Sequence, residues 1–283
     1  MRMEIRGTGL YVDQRGPEDA PALLFIHGGP GAGSYDFMAF QGDQLARRFR
    51  LIGVDQRGVQ RSDPLTGPVD ETDLVADYEA VREALGITSW SILGHSYGGR
   101  IALRYAVSHP DTVTKVVFEN PAWDMVLATD TLLAAALPLL PGVEVPEHSG
   151  PATKAMWDER IAVLGQLGER RTDIYLGPNS RGLQLPADTE IADEFHARSG
   201  QFSEQITRSP QFGDLVLPLL AQLTQPALLI KGEYDPATSQ DEIARFQSDV
   251  PDGTYYYATG AGHFVHAEQP DRYTELVTGF LLS

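Results

Sequence analysis

The chain has 283 residues, 42% of them hydrophobic, and a formal net charge of −17, which suits one large α/β core with room for an insertion. It contains no cysteine, so disulfides, thiolate metal sites and a cysteine nucleophile are excluded. The negative charge argues against nucleic acid and anionic membranes as partners. No apolar run reaches the ~18 residues that suggest a membrane span, and none follows Met1 to Arg6, so the expectation is a cytoplasmic protein without a secretory signal.

In chain order, Leu10 to Gln14 reads as an antiparallel edge strand. Ala22 to Ile26, Arg50 to Val54, Trp90 to Leu93, Lys115 to Phe118 and Ala227 to Ile230 are short, continuous apolar runs. Runs of this kind, separated by helical patterns, fit strands of a parallel sheet buried on both faces. Thr254 to Ala258 reads as a further strand. Asp70 to Leu85 carries apolar residues at helical spacing, with Gly86 as a stop signal. Ile101 to Val107 continues a helix that begins at the preceding turn. Glu242 to Phe246 and Pro270 to Leu282 mark the last two helices.

The rhythm breaks between residues 121 and 225. Strand signals are weak there, and prolines recur at 138, 141, 146, 151, 178, 186 and 210. Helix-like pieces, Thr131 to Leu137 and Thr153 to Leu167, lie between them. The fold class is therefore α/β. A mostly parallel sheet with helices on both faces is built from residues 1–120 and 226–283, and residues 121–225 form a helical lid that covers a site and selects its substrate.

Gly94-His95-Ser96-Tyr97-Gly98 has the G-x-S-x-G form of a nucleophile elbow, with an apolar strand before it and a helix after it. Such a turn lifts the serine hydroxyl to the sheet edge, above a helix N-terminus. A serine nucleophile needs a base, and the base needs an orienting acid. In this arrangement acid and histidine follow the serine in that order. Asp235 follows the strand ending near Ile230, and His263 follows the strand ending near Ala258. Ser96, Asp235 and His263 are thus the candidate catalytic residues. His266 is the rival base, and Glu233 and Glu119 are rival acids. Two backbone amides must receive the oxyanion. One belongs to Tyr97, and the other comes from His27-Gly28-Gly29-Pro30-Gly31, where Gly29 is favoured and Gly28 comes next. His27 is expected to hold that loop rather than to take part in catalysis.

His27-Gly-Gly-Pro-Gly31, Asp55-Gln-Arg-Gly58 and Ser96-Tyr-Gly-Gly99 together resemble the proline iminopeptidase family of α/β hydrolases. The resemblance implies an α/β-hydrolase fold, an acyl-enzyme mechanism, the triad Ser96–Asp235–His263 and an oxyanion hole at Gly29 and Tyr97. Its implied partner is a short peptide or another small molecule. Several positions depart from the family pattern. Gln60 stands where the family usually has glycine, and the elbow has His95 where Gly is common. In one branch, two glutamates hold the substrate's free amine, and the matching positions here are Ser180 and Pro236. An aminopeptidase would then need other carboxylates, with Glu204 and Glu159 as candidates. A carboxylesterase or lactonase would need none. Trp123 and Glu204 are the candidate substrate contacts. No metal-binding, P-loop or dinucleotide motif is present, so no metal or other cofactor is expected.

Overall fold

The computed structural model of the chain describes residues 1–145 and 154–283. The described strands are β1 (Arg2–Ile5), β2 (Thr8–Arg15), β3 (Ala22–Ile26), β4 (Arg50–Asp55), β5 (Trp90–His95), β6 (Val113–Glu119), β7 (Ala227–Gly232) and β8 (Gly253–Ala258). They form a single sheet in the order β1-β2-β4-β3-β5-β6-β7-β8. The β1–β2 and β2–β4 pairs are antiparallel, and the remaining pairs are parallel.

The strand expected from Leu10 to Gln14 is β2, but it is not the edge of the sheet. β1 pairs along its outer side, joined through Arg6 and Gly7 with φ of 49° and 77°. Consecutive positive φ values make a tight turn whose twist matches an antiparallel hairpin. Hydrogen bonding through that hairpin moves the edge outward by one strand.

The helices are α1 (Tyr35–Leu45), α2 (Glu71–Ala84), α3 (Tyr97–Ser108), α4 (Met125–Ala136), α5 (Lys154–Gly165), α6 (Ala187–Glu190), α7 (Asp193–Ile206), α8 (Gln240–Asp249), α9 (Val265–Glu268) and α10 (Pro270–Leu282). Alternate side chains of the strands face opposite sides of the sheet. Leu24 and Ile26 pack in one core with Leu74 and Tyr78 of α2, Ile101 of α3 and Phe246 of α8. Leu23 and Phe25 pack in the other with Phe37 and Met38 of α1 and Tyr273 and Val277 of α10. Helices therefore cover both faces. Asp70 accepts a hydrogen bond from the Asp73 amide, and Asp73 reciprocates, so α2 starts at a closed capping box.

Between β6 and β7 the described residues form helices and 3-10 turns and no strand. Leu132, Leu133, Ala136, Leu164 and Leu167 build a separate small core there. The expected piece from Thr131 to Leu137 lies mostly in α4, which starts earlier, at Met125. Pro146, Pro151 and Thr153 lie outside the described residues. Nothing in the sequence pattern singled out α7. Only Phe202 and Ile206 of that helix are fully buried, so its apolar stripe is too thin to read.

Candidate active site

Ser96 occupies the sharp connection between β5 and α3, with φ 56° and ψ −125°. A non-glycine residue rarely takes this conformation, and it persists only where its surroundings impose it. Here the Ser96 amide donates to the Glu119 carbonyl at 3.0 Å, and the Ala122 amide donates to the Ser96 carbonyl at 3.1 Å. β6 and the residues just after it thus hold the turn from both sides. A Cβ on Gly98 would lie 2.1 Å from the Ile26 carbonyl oxygen, so only glycine lets α3 start this close to β3.

Asp235 stands in the loop after β7, and His263 in the loop after β8. His263 Nδ1 lies 2.6 Å from Asp235 Oδ1. The Ala237 and Thr238 amides donate to the two carboxylate oxygens of Asp235, each at 3.0 Å. Burial pushes the Asp235 carboxyl up, but the His263 hydrogen bond and charge, the Lys231 charge and the Ala237 amide outweigh it and hold the group at about 2. The structure therefore brings Asp235 to His263, and both Ser96 and His263 line one cavity of about 650 Å³.

The rival residues are engaged elsewhere. His266 Nδ1 pairs with Glu119, which also accepts from the Tyr273 hydroxyl at 3.1 Å. Glu233 accepts from the Gly260 amide at 2.7 Å. His95 Nδ1 is 3.4 Å from Glu119 Oε2, close enough for electrostatic contact but without a formed hydrogen bond. Burial lowers the His95 pKa to about 4 despite the nearby Glu119 charge. Among the described residues, His95, Glu119 and His266 are the one group whose potential metal-ligand atoms all lie within 4.8 Å of one another. Hydrogen bonds from His266 and Tyr273 already occupy both Glu119 oxygens.

The loop after β3 supplies the opposite wall. Gly28 and Gly29 line the cavity, and the Gly29–Pro30 peptide is cis. A Cβ on Gly28 would lie 2.7 Å from both the His95 carbonyl oxygen and Ser96 Cβ. Gly29 has φ 112°, outside the range L side chains readily adopt. Tyr97 is the first residue of α3, so its amide has no partner within the helix. His27 Nε2 accepts from the Gln56 amide at 3.1 Å, which ties this loop to the Asp55-Gln-Arg-Gly turn. Asp55 in turn accepts from the Ser34 amide and hydroxyl, both at 2.8 Å, and from Arg61 Nε at 2.7 Å.

Gln60, at the position where the resembled family has glycine, keeps a positive φ of 40°. Its side-chain amide donates to the Ala32 carbonyl at 2.5 Å, and its backbone amide donates to Ser199 Oγ of α7 at 3.1 Å. It links the loop after β3 to the helical segment above.

Trp123 is a correction to the expected substrate contacts. It is fully buried and does not line the cavity. Its ring lies 5.0 Å from Phe118 edge-on and 6.0 Å from Phe246 in a stack, because the chain leaving β6 turns inward over α8. Glu204 does line the cavity, yet it is exposed and ion-paired with Arg208, just past the end of α7. Glu159 does not line the cavity, whereas its neighbour Asp158 does, as do Asp36 and Arg171. Asp36 Oδ1 accepts from the Ala187 amide at 2.7 Å, and burial raises its pKa.

Two residues missed in the sequence complete the arrangement. Asn120, with φ 42°, donates to the Gly262 and His263 carbonyls at 3.1 and 2.7 Å and accepts from the Gly232 amide at 2.8 Å. It fastens the His263 loop to β7. The only signal was a polar residue between a strand and Pro121. Lys231, at the end of the apolar run of β7, is buried against Asp235.

The family profile of the alpha/beta hydrolase fold matches residues 21–270. A proline iminopeptidase from Neisseria gonorrhoeae is 42% identical over 114 residues, 39% of this chain and 36% of that protein. The alignment thus spans about a third of that relative's length. A probable 1-acylglycerol-3-phosphate O-acyltransferase from Oryza sativa subsp. japonica is 36% identical over 92% of this chain and 67% of its own length. The crystal structure of a proline iminopeptidase-related protein from Thermus thermophilus superposes with a TM-score of 0.78 at 23% identity, covering 100% of this chain and 96% of its own.

Proposed function

Because this chain belongs to the alpha/beta hydrolase fold family, we propose that it is a serine hydrolase that cleaves an ester or amide through an acyl-enzyme. In this reading Ser96 Oγ attacks the acyl carbonyl while His263 Nε2 takes its proton. Asp235 fixes the imidazole tautomer and stabilises the imidazolium. The Gly29 and Tyr97 amides receive the negative charge on the carbonyl oxygen. His263 then returns the proton to the departing alcohol or amine, and water releases the acyl group by the same steps in reverse roles. The observation that carries the reading is the 2.6 Å contact of His263 with Asp235 at the edge of a cavity that Ser96 also lines.

The proposed substrate is a short peptide with a free amino terminus, as in a proline iminopeptidase. Among the described residues, Asp36, Asp158 and Glu204 line the cavity against one arginine, Arg171, so a cationic group is favoured there. Residues 121–225 act as the lid that shapes this cavity. A second reading, a carboxylesterase or lactonase on small acyl substrates, is favoured by the uncharged Ser180 and Pro236 at the positions where the resembled family binds the amine. Labelling with a fluorophosphonate tests the chemistry. Stoichiometric modification of the protein and none of Ser96→Ala is the expected outcome. Equal labelling of both would remove Ser96 from the reaction.

A further inference from the structure

A cation stands behind the candidate acid. Lys231 is 4% exposed, at the end of a strand otherwise made of apolar residues and glycine. Its ammonium lies 3.2 Å from Asp235 Oδ2 and donates to the Gly232 carbonyl at 2.6 Å and to the Asp235 carbonyl at 2.7 Å. The ammonium thus donates to two carbonyls and is ion-paired with the carboxylate. A buried ammonium is costly unless it is paired in this way. An apolar residue would fill the strand position without that cost. The carboxylate is shared, with Oδ1 on His263 and Oδ2 on Lys231.

We propose, on the premise that Ser96, His263 and Asp235 act as described above, that Lys231 is a positioning residue that neutralises Asp235 and thereby extends activity to lower pH. The imidazole of His263 faces a lysine–aspartate pair with no net charge, not a lone carboxylate. A lone buried carboxylate would favour the imidazolium more strongly, and an imidazolium cannot accept the serine proton. The two titratable rings packed nearest His263 carry no charge at neutral pH. His95 lies 4.6 Å away ring to ring and is held neutral by burial, and Tyr175 lies 5.2 Å away and burial raises its pKa. Glu119, with His266, stands behind His95, and Arg171 stands beside Tyr175.

The test is the pH profile of kcat/KM for a p-nitrophenyl ester in the wild-type protein, Lys231→Met and Lys231→Arg. Lys231→Met should move the acid limb up by about one pH unit, and Lys231→Arg should leave it in place. A folded, active Lys231→Met whose acid limb is unmoved, with only kcat lowered, overturns the proposal and leaves Lys231 a loop anchor. Should Lys231→Met not fold, thermal midpoints of Asp235→Asn and of Asp235→Asn with Lys231→Met decide. Recovery of stability in the double variant supports the charge pair, and a further loss overturns it. A wild-type protein that neither labels with fluorophosphonate nor turns over esters would instead sink the hydrolase reading, and the thermal comparison would still test the pair.

Discussion

The imidazole of His266 is held by Glu119, with Nδ1 2.9 and 3.0 Å from the two carboxylate oxygens. A second imidazole–carboxylate couple therefore stands three residues along the chain from His263. Each histidine has its own acid, and the two can be separated by mutation. His263→Ala should lower kcat/KM by about 10⁴-fold or more, and adding Ser96→Ala should cost little further, because members of a triad act as a unit. His266→Ala should keep activity within about tenfold while lowering stability by about 1–3 kcal/mol, since it removes the imidazole hydrogen bond from the buried Glu119 and leaves the Tyr273 hydroxyl and the residue-266 amide as donors. Steady-state kinetics and thermal melts of the variants check both. Loss of activity in His266→Ala with near-normal rates in His263→Ala would reverse the assignment of the base.

Two buried groups, His95 and Asp235, should each make stability depend on pH on the acid side, with different origins. His95 has its pKa lowered by burial from 6.5 to about 4. Between those values the native state binds fewer protons than the unfolded chain, so stability rises with pH across the window. It is lost as pH falls through the window, by about 3 kcal/mol in full. Asp235 is held at about 2 against 3.8. Its contribution, about 2 kcal/mol, is present above pH ~4 and is lost as pH falls toward 2. Glu242, whose pKa burial raises to about 7, changes stability in the opposite sense over the same window, so the His95 contribution is read as the difference between wild type and His95→Gln in urea unfolding from pH 7 to pH 4. An unchanged slope in His95→Gln would place the acid sensitivity elsewhere.

Gln60 separates backbone strain from side-chain bonding. Its φ of 40° favours glycine, yet its side chain bonds to the Ala32 carbonyl. Gln60→Ala should lose the bond and keep the strain, costing about 1–2 kcal/mol. Gln60→Gly should lose the bond but relieve the strain, and should be about 1 kcal/mol more stable than the alanine variant. Chemical denaturation of the pair measures the difference. Equal stabilities would mean that the left-handed conformation carries no cost in this loop.

Much of the architecture was legible because parallel strands buried on both faces leave continuous apolar runs. Ala22–Ile26 and Ala227–Gly232 show this directly. The proposed triad residues Ser96, Asp235 and His263 each follow such a run, and the fold sets Asp235 beside His263 and puts Ser96 and His263 on one cavity. Contacts set by tertiary packing were not legible. Arg6 and Gly7 carry the hairpin that adds β1, yet Arg-Gly is a weak turn signal. Trp123 was placed at the substrate because it opens the segment after β6, whereas its indole turns into the core against Phe246. Lys231 lies just past the apolar run ending at Ile230 and drew no attention in the sequence, and only the fold reveals Asp235 beside it.

An aminopeptidase must hold an ammonium group at a fixed distance from the scissile carbonyl. Burying that cation without a partner is costly, so carboxylates must face it. Glu204 lines the cavity, but it is exposed and already paired with Arg208. Asp36 is half buried, lines the same cavity and accepts from the Ala187 amide at Oδ1. A carboxylate in that setting gains most from a bound cation, because little water screens it. Prolyl arylamide should therefore be cleaved better than its N-acetylated form, by about 10-fold or more, the scale of one partly desolvated ion pair. Asp36→Asn should erase most of that preference, and Glu204→Gln should change it less. Hydrolysis of a short p-nitrophenyl ester should survive both substitutions, since an ester needs the reacting groups and not the amine partner. Equal rates on the free and acetylated amides, with the ester much faster than either, would sink the aminopeptidase reading and leave a carboxylesterase or lactonase in its place.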